Sequence, residues 1–446
     1  MKAGLKKPDP GLAFRGQAAL SRRGLLLGAG GVLLSDAPRI VADAATPAAA
    51  FVESVGVCAH VGREPYNSPL FHDLIVASGI RHLRVLLDVS TDFAQWRHLY
   101  AAFGIHSHLI VSPAVNTVAQ LLDYLNRVEP GSVAAVEGQN EGDNGIFAAQ
   151  EAVNGGWNAI VVRYQREVFE ALRQRYSAAA LPIVSPTLID WKPADVALIR
   201  DAAPFCDIVG LHAYVQHGEE PETQDDYAAL SWYISNFADS FKPHAPVMVT
   251  ETGYTNVVAP GQAGVSELAA SIYLPRMLLH NFASGVLRTF LYEFMDGGLN
   301  PTDGEHHYGI VHFDGTPKGA YHTIAALLVT LADRPGTAAR SLPERAIPLA
   351  FSNAPADLRH LIFTRSDATV VVALWRPLRV WNVERGEDIP DATRDLLIVP
   401  GWSVARAEYM VLARTPVWNT LPVVAGRIEI PVGAAVTLVR LGIRDV

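Results

Sequence analysis

Cysteine is nearly missing from this chain: Cys58 and Cys206 are the two among 446 residues. They lie far apart, with no CxxC pair and no metal-ligand spacing, which excludes a disulfide-rich scaffold and a cysteine-based zinc module. Two isolated buried thiols are the simpler reading, although an oxidising compartment would permit a bridge. Charge is also sparse, at 18%, while 50% of residues are apolar, a balance that excludes a disordered chain. The first apolar run is followed by Cys58-Ala59-His60-Val61-Gly62, which is not the GxGxxG of a dinucleotide-binding turn. Past residue 44 no stretch approaches 18 successive apolar residues, so no membrane-spanning helix is expected there. There is no internal repeat. The net charge is −9, and removing residues 1–44 takes away seven basic and three acidic side chains, leaving −13. A surface that acidic repels phosphate backbones, which argues against nucleic acid and suits a neutral or cationic ligand.

Residues 1–44 read as an export signal. Lys2, Lys6, Lys7, Arg15, Arg22 and Arg23 form a basic start. An apolar, glycine-containing run follows and ends near Leu34, too short to span a bilayer. Ala42-Asp43-Ala44 fits a cleavage site. The paired arginines resemble a bacterial twin-arginine signal, which exports folded chains. The expectation is a periplasmic or secreted protein with no stable membrane insertion after processing. The competing reading is a lipid-facing anchor that is never cleaved.

From Phe51 onward, short β-branched runs alternate with amphipathic stretches. Eight runs are evident, at 54–60, 82–87, 107–111, 132–138, 182–186, 207–214, 246–251 and 286–292. Helix-like segments between them include 117–127, 157–175, 225–241 and 266–284. Near-continuous apolar strands alternating with helices predict a parallel sheet covered on both faces. Eight such units over 51–338 match a (β/α)8 TIM barrel, with an open doubly wound sheet as the alternative. After about Arg340 the pattern becomes short alternating runs between turns. Residues 340–446 therefore predict a C-terminal antiparallel β-sandwich.

In a barrel, reactive groups sit at the C-terminal ends of the strands. The fourth run ends Glu137-Gly138-Gln139-Asn140-Glu141, and the seventh ends Thr250-Glu251-Thr252-Gly253. The fourth and seventh strands face each other across the mouth, so Glu141 and Glu251 can converge. Two carboxylates with separated pKa values can split acid and nucleophile roles in cleaving a glycosidic bond.

Asn140-Glu141 after the fourth run and Glu251 after the seventh resemble the clan A glycoside hydrolases, including families 5 and 39. Arg84 on the second run, His212-Ala213-Tyr214 after the sixth, and the segment from Tyr308 to Tyr321 agree with that pattern. The resemblance implies a retaining glycosidase that acts on a β-linked polysaccharide or oligosaccharide and requires no cofactor. It implies Glu141 as acid/base, Glu251 as nucleophile, and Asn140 as a ligand of the sugar 2-hydroxyl. Many clan members carry Trp at the end of the eighth strand, where this chain has Tyr292. A transglycosylase on the same site and a non-catalytic carbohydrate-binding barrel are the alternatives.

Several residues carry two readings. Glu137 competes with Glu141 for the acid role or is a buried partner for a polar group. Glu293 is a further competitor, with a structural ion pair as its plainer role. Arg84 holds Glu251 ionised or pairs with Asp88. His212 and Tyr214 hydrogen-bond substrate or Glu251, and His212 could instead be a satisfied core histidine. Tyr254, Tyr292, Trp157 and Trp191 either border the sugar site or pack. His106-Ser107-His108 begins the third run, at the end opposite the mouth, which argues against a catalytic metal. No metal site is expected.

Overall fold

The structure is a computed structural model, which describes residues 39–443 apart from 89–92, 152–154, 190–191, 216–217, 224–228, 259–263, 334–345 and 401–403. The basic and apolar part of the leader, and Trp191, lie outside the described residues. Two short strands come first, β1 (Arg39–Ala44) and β2 (Thr46–Pro47). Eight parallel strands follow: β3 (Val55–Cys58), β4 (His82–Leu86), β5 (His106–Ile110), β6 (Val133–Glu137), β7 (Ile183–Val184), β8 (Val209–His212), β9 (Val247–Thr252) and β10 (Thr289–Leu291). Each falls within, or one residue beyond, an expected run. The hydrogen-bonded order is β7-β6-β5-β4-β3-β10-β9-β8. A parallel bridge between Val184 and Ile208 joins the two ends, so the sheet closes into the expected barrel.

These strands form because β-branched and aliphatic residues on both faces find cover: the bore inside and helices outside. Val55, Leu83, Leu109, Val136, Val209 and Val249 are all fully or almost fully buried. The covering helices start on side-chain caps. Ser68 accepts from Leu70 N ahead of Pro69, Thr117 and Gln120 make a reciprocal capping box, and Ser266 accepts from Ala269 N.

The C-terminal part is a sandwich. One sheet has β1, Ala346–Ser352, Arg394–Pro400 and Ile428–Val432 side by side in that order. The other has six strands, with Asn419–Leu421, Val404–Val411, Thr437–Ile443, Val370–Trp375, Arg359–Thr364 and Thr46–Pro47 side by side. Leu349, Phe351, Val372, Ile398, Ile430 and Val439 fill the space between the sheets. Two sandwich strands therefore come from residues 39–47, ahead of the barrel. Ala42-Asp43-Ala44, read from sequence as the end of the leader, lies in β1 and pairs with Pro348, Ile347 and Ala346. Among the described residues no helix is long and apolar enough to cross a membrane.

Candidate active site

Register builds the floor of the site. Cys58, Arg84 and His108 are neighbours across β3, β4 and β5, and His212 lies beside Glu251 across β8 and β9. Arg84 is 2% exposed and uses every arm of its guanidinium. Its Nε and Nη2 donate to the two oxygens of Glu137 at 2.8 and 2.7 Å. Its Nη1 donates to Glu251 Oε1 at 2.7 Å, and Nη2 also reaches Asn140 Oδ1 at 2.6 Å. Asp88 pairs with Arg63 instead. Glu137 is fully buried and also meets His108 Nε2 at 2.9 Å. It is thus the buried partner rather than a group free to donate a proton into the cavity. Burial pushes its carboxyl up, but Arg84 and His108 outweigh that and hold it at about 2.

Glu251 faces the cavity. Its Oε2 accepts from Tyr214 Oη at 3.0 Å and lies 3.5 Å from His212 Nδ1. Burial favours its neutral form, yet His212, Arg84 and Tyr214 together hold it below the ordinary carboxylate range. The same His212 Nδ1 lies 2.8 Å from Glu141 Oε1. Burial would lower the His212 pKa, but Glu251 and the bond to Glu141 raise it. Glu141 has φ +47°, a left-handed backbone that costs a non-glycine residue roughly 1–2 kcal/mol. Its N–H donates to Thr187 Oγ1 and its carbonyl accepts from Asn144 N, which hold the turn. Gly253, two residues past Glu251, has no alternative: a Cβ there would sit 2.3 Å from the Tyr292 carbonyl oxygen.

A cavity of about 650 Å³ opens over these groups. Arg84, Asn140, Glu141, His212, Tyr214, Glu251 and Tyr292 all border it. Tyr292, Tyr308 and Tyr214 form an arc of rings, with successive edge-on contacts at 5.6 and 5.8 Å. Sequence reasoning did not single out several further lining residues, among them His60, Arg63, Ile189 and Tyr233, and Glu305 of the loop after the eighth strand also borders the cavity. His60 sits two residues past β3, so a strand-end search could have found it. It meets Glu293, a buried acid that also accepts from Tyr66 Oη. Glu293 therefore has the structural pairing.

Two expected lining residues lie elsewhere. Tyr254 is buried, and its hydroxyl donates to the Glu219 carbonyl at 2.7 Å. Trp157 begins the helix Trp157–Arg173 and packs on the apolar cluster around Phe147 and Ile160. Neither borders the cavity. Both cysteines are free and buried. Ligand atoms of Glu141, His212 and Glu251 lie within 4.8 Å of one another, and they are the one group of described residues close enough to share a metal ion. Arg84 and Tyr214 already satisfy Glu251, so hydrogen bonding accounts for the cluster.

No protein-family model and no curated protein matches the chain. Solved structures do. A glucosidase from Croceicoccus marinus aligns with a TM-score of 0.60 at 10% identity, over 92% of this chain and 99% of that one. A family 39 glycoside hydrolase from Bacteroides cellulosilyticus gives 0.56 at 16%, over 89% and 81%. A family 39 enzyme from Xanthomonas axonopodis pv. citri gives 0.56 at 14%, over 90% and 96%. The shared property at such identities is the fold, and the clan A resemblance is borne out to that extent.

Proposed function

We propose that the chain is an exported retaining glycoside hydrolase that cleaves a β-linked oligosaccharide or polysaccharide by double displacement. The carrying observation is the convergence of Glu141 and Glu251 over one cavity, with one carboxylate oxygen of each within 4.8 Å of the other. Retaining enzymes hold their carboxyl groups ~5–5.5 Å apart, whereas inversion needs ~6.5–9.5 Å to admit a water. Export rests on the leader and the carbohydrate class on the fold and the site together.

Glu251, kept ionised by Arg84 and Tyr214, attacks the anomeric carbon. Glu141 protonates the departing oxygen. His212 Nδ1, 2.8 Å from Glu141 Oε1, is placed to donate to the carboxylate this leaves on Glu141. Asn140 accepts from Arg84 through its oxygen, which leaves its NH2 to donate to the sugar 2-hydroxyl. Glu141 then takes a proton from water, which releases the sugar from Glu251. Strain at Glu141 supports this assignment, since such backbone persists where surroundings over-determine it.

The test is a panel of aryl β-glycosides and β-glucans, followed by Glu251→Ala on whichever is cleaved. Turnover should fall by several orders of magnitude, and azide should restore part of it as a β-substrate yields an α-glycosyl azide. A variant that keeps its activity would remove Glu251 from the reaction. Failure of the whole panel would favour the binding-protein alternative.

A further inference from the structure

The loop after β8 carries Tyr214, and a few residues further on it carries Glu222, which is 5% exposed. Glu222 Oε1 accepts from Arg276 Nε at 3.0 Å and from Trp375 Nε1 at 2.7 Å, and Oε2 accepts from Arg276 Nη2 at 2.5 Å. Arg276 belongs to the barrel helix Glu267–Ala283 and is fully buried. Its Nη1 donates to the Leu378 carbonyl at 2.8 Å. Trp375 ends a sandwich strand, so one buried acid ties three parts of the molecule together. The next residues continue the clamp. Arg379 reaches Glu220 at 3.0 Å and Glu219 at 3.5 Å, and Val380 N donates to Tyr273 Oη at 2.9 Å. The Glu219 carbonyl receives the Tyr254 hydroxyl, three residues past Glu251.

Taking two charges out of water is costly, and a well-packed apolar pair often does as well for stability. A buried ion pair across three segments therefore makes sense as a device for geometry. Tyr214, eight residues before Glu222 on the same connection, donates its hydroxyl to Glu251. We propose that Glu222 is a positioning residue: clamped by Arg276 and by Trp375 of the C-terminal domain, it sets the loop that points Tyr214 at Glu251. The sandwich is then a working part of the glycosidase site, not a separately acting module. This rests on the glycosidase reading above.

The experiment compares Trp375→Phe, Glu222→Gln, Tyr214→Phe and the double variant Trp375→Phe/Tyr214→Phe in the full chain, using an aryl β-glycoside that the wild type cleaves. Trp375→Phe removes the indole N–H donor and leaves a smaller aromatic ring in its place, so it serves where Glu222→Gln fails to fold. Trp375→Phe should lower kcat about five- to tenfold with KM within about twofold, as expected when an interaction specific to the transition state is lost. The acidic limb of its pH profile should move to higher pH, as it should in Tyr214→Phe, because both weaken a bond that favours ionised Glu251. In the Tyr214→Phe background, Trp375→Phe should cost less than about twofold, since residues acting through one another are not additive. Equal losses in both backgrounds, or wild-type kinetics for Trp375→Phe, would overturn the proposal. If wild type is active and Glu251→Ala is dead, that failure belongs to the positioning claim alone. If wild type cleaves no glycoside, the glycosidase reading fails and takes this claim with it.

Discussion

Arg84→Met tests the electrostatics of the site through folding stability. Arg84 is the main counter-charge of the fully buried Glu137. In the wild type a carboxyl held at about 2 against an ordinary 4.5 contributes roughly 3 kcal/mol at neutral pH. The sign follows from the lowered pKa. The contribution is complete above about pH 4.5 and disappears as pH falls toward 2. Methionine keeps much of the volume of the arginine stem and removes the charge. Glu137 then has His108 for company, itself buried and pushed below its usual pKa. Burial now dominates, and the folded carboxyl rises above its unfolded value. Stability should therefore be lowest near neutral pH and improve on acidification, the reverse of the wild type. Breaking a buried pair costs roughly 3–5 kcal/mol. At roughly 1 °C per kcal/mol for a protein of this size, the variant should melt about 3–5 °C lower near pH 7. Between pH 7 and pH 5 it should regain part of that, while the wild type stays flat or declines. Scanning calorimetry at one scan rate measures both. A variant that melts within about 2 °C of the wild type near pH 7, or whose midpoint does not rise on acidification, would refute the account of Glu137.

Glu141→Ala should depend on the leaving group. Cleavage of an alkyl glycoside should fall by about 10²–10⁴-fold, while a dinitrophenyl glycoside, which departs without a proton, should still form the covalent intermediate in a measurable burst. Equal losses on both substrates would contradict the acid role. Burial pushes both thiols up, Cys206 to about 12, so iodoacetamide near neutral pH should label neither in the native protein and both after denaturation. Rapid native labelling would show that one of them is exposed.

The barrel was legible because parallel strands covered on both faces leave short, mostly apolar runs, as in 246–251 and 286–292. That signal depends on local composition and survives without knowledge of partners. Residues 39–47 give no such signal. They are alanine-rich and proline-broken, and their strand state comes from pairing with residues about three hundred positions away. The strand-end rule placed Glu141 and Glu251 because a parallel barrel sends every strand's C-terminus to one mouth, while Arg84, Asn140, His212, Tyr214 and Tyr292 came from the clan A resemblance. It failed for Trp157 and Tyr254, since proximity to a strand end does not decide which way a loop side chain turns. Tyr233 reaches the cavity from the end of the short helix Leu230–Tyr233, a place that no strand-end rule marks.

The sequence posed Arg84 as a choice between Glu251 and Asp88, and the structure gives a third arrangement with chemical consequences. A guanidinium devoted to Glu251 would keep it ionised but would also hold its electron pairs, which weakens a nucleophile. Here Glu137 takes two of the donors, Asn140 shares one of those arms, and Glu251 receives a single Nη1 bond. Glu137 thus neutralises most of the Arg84 charge while locking its orientation. Glu251 stays ionised through three weaker influences: one arginine arm, the Tyr214 hydroxyl and a nearby His212. In the proposed reaction, each of these can loosen as charge leaves the carboxylate for the anomeric carbon. A fully buried acid with no access to substrate therefore earns its place by making the arginine a moderate partner instead of a dominant one.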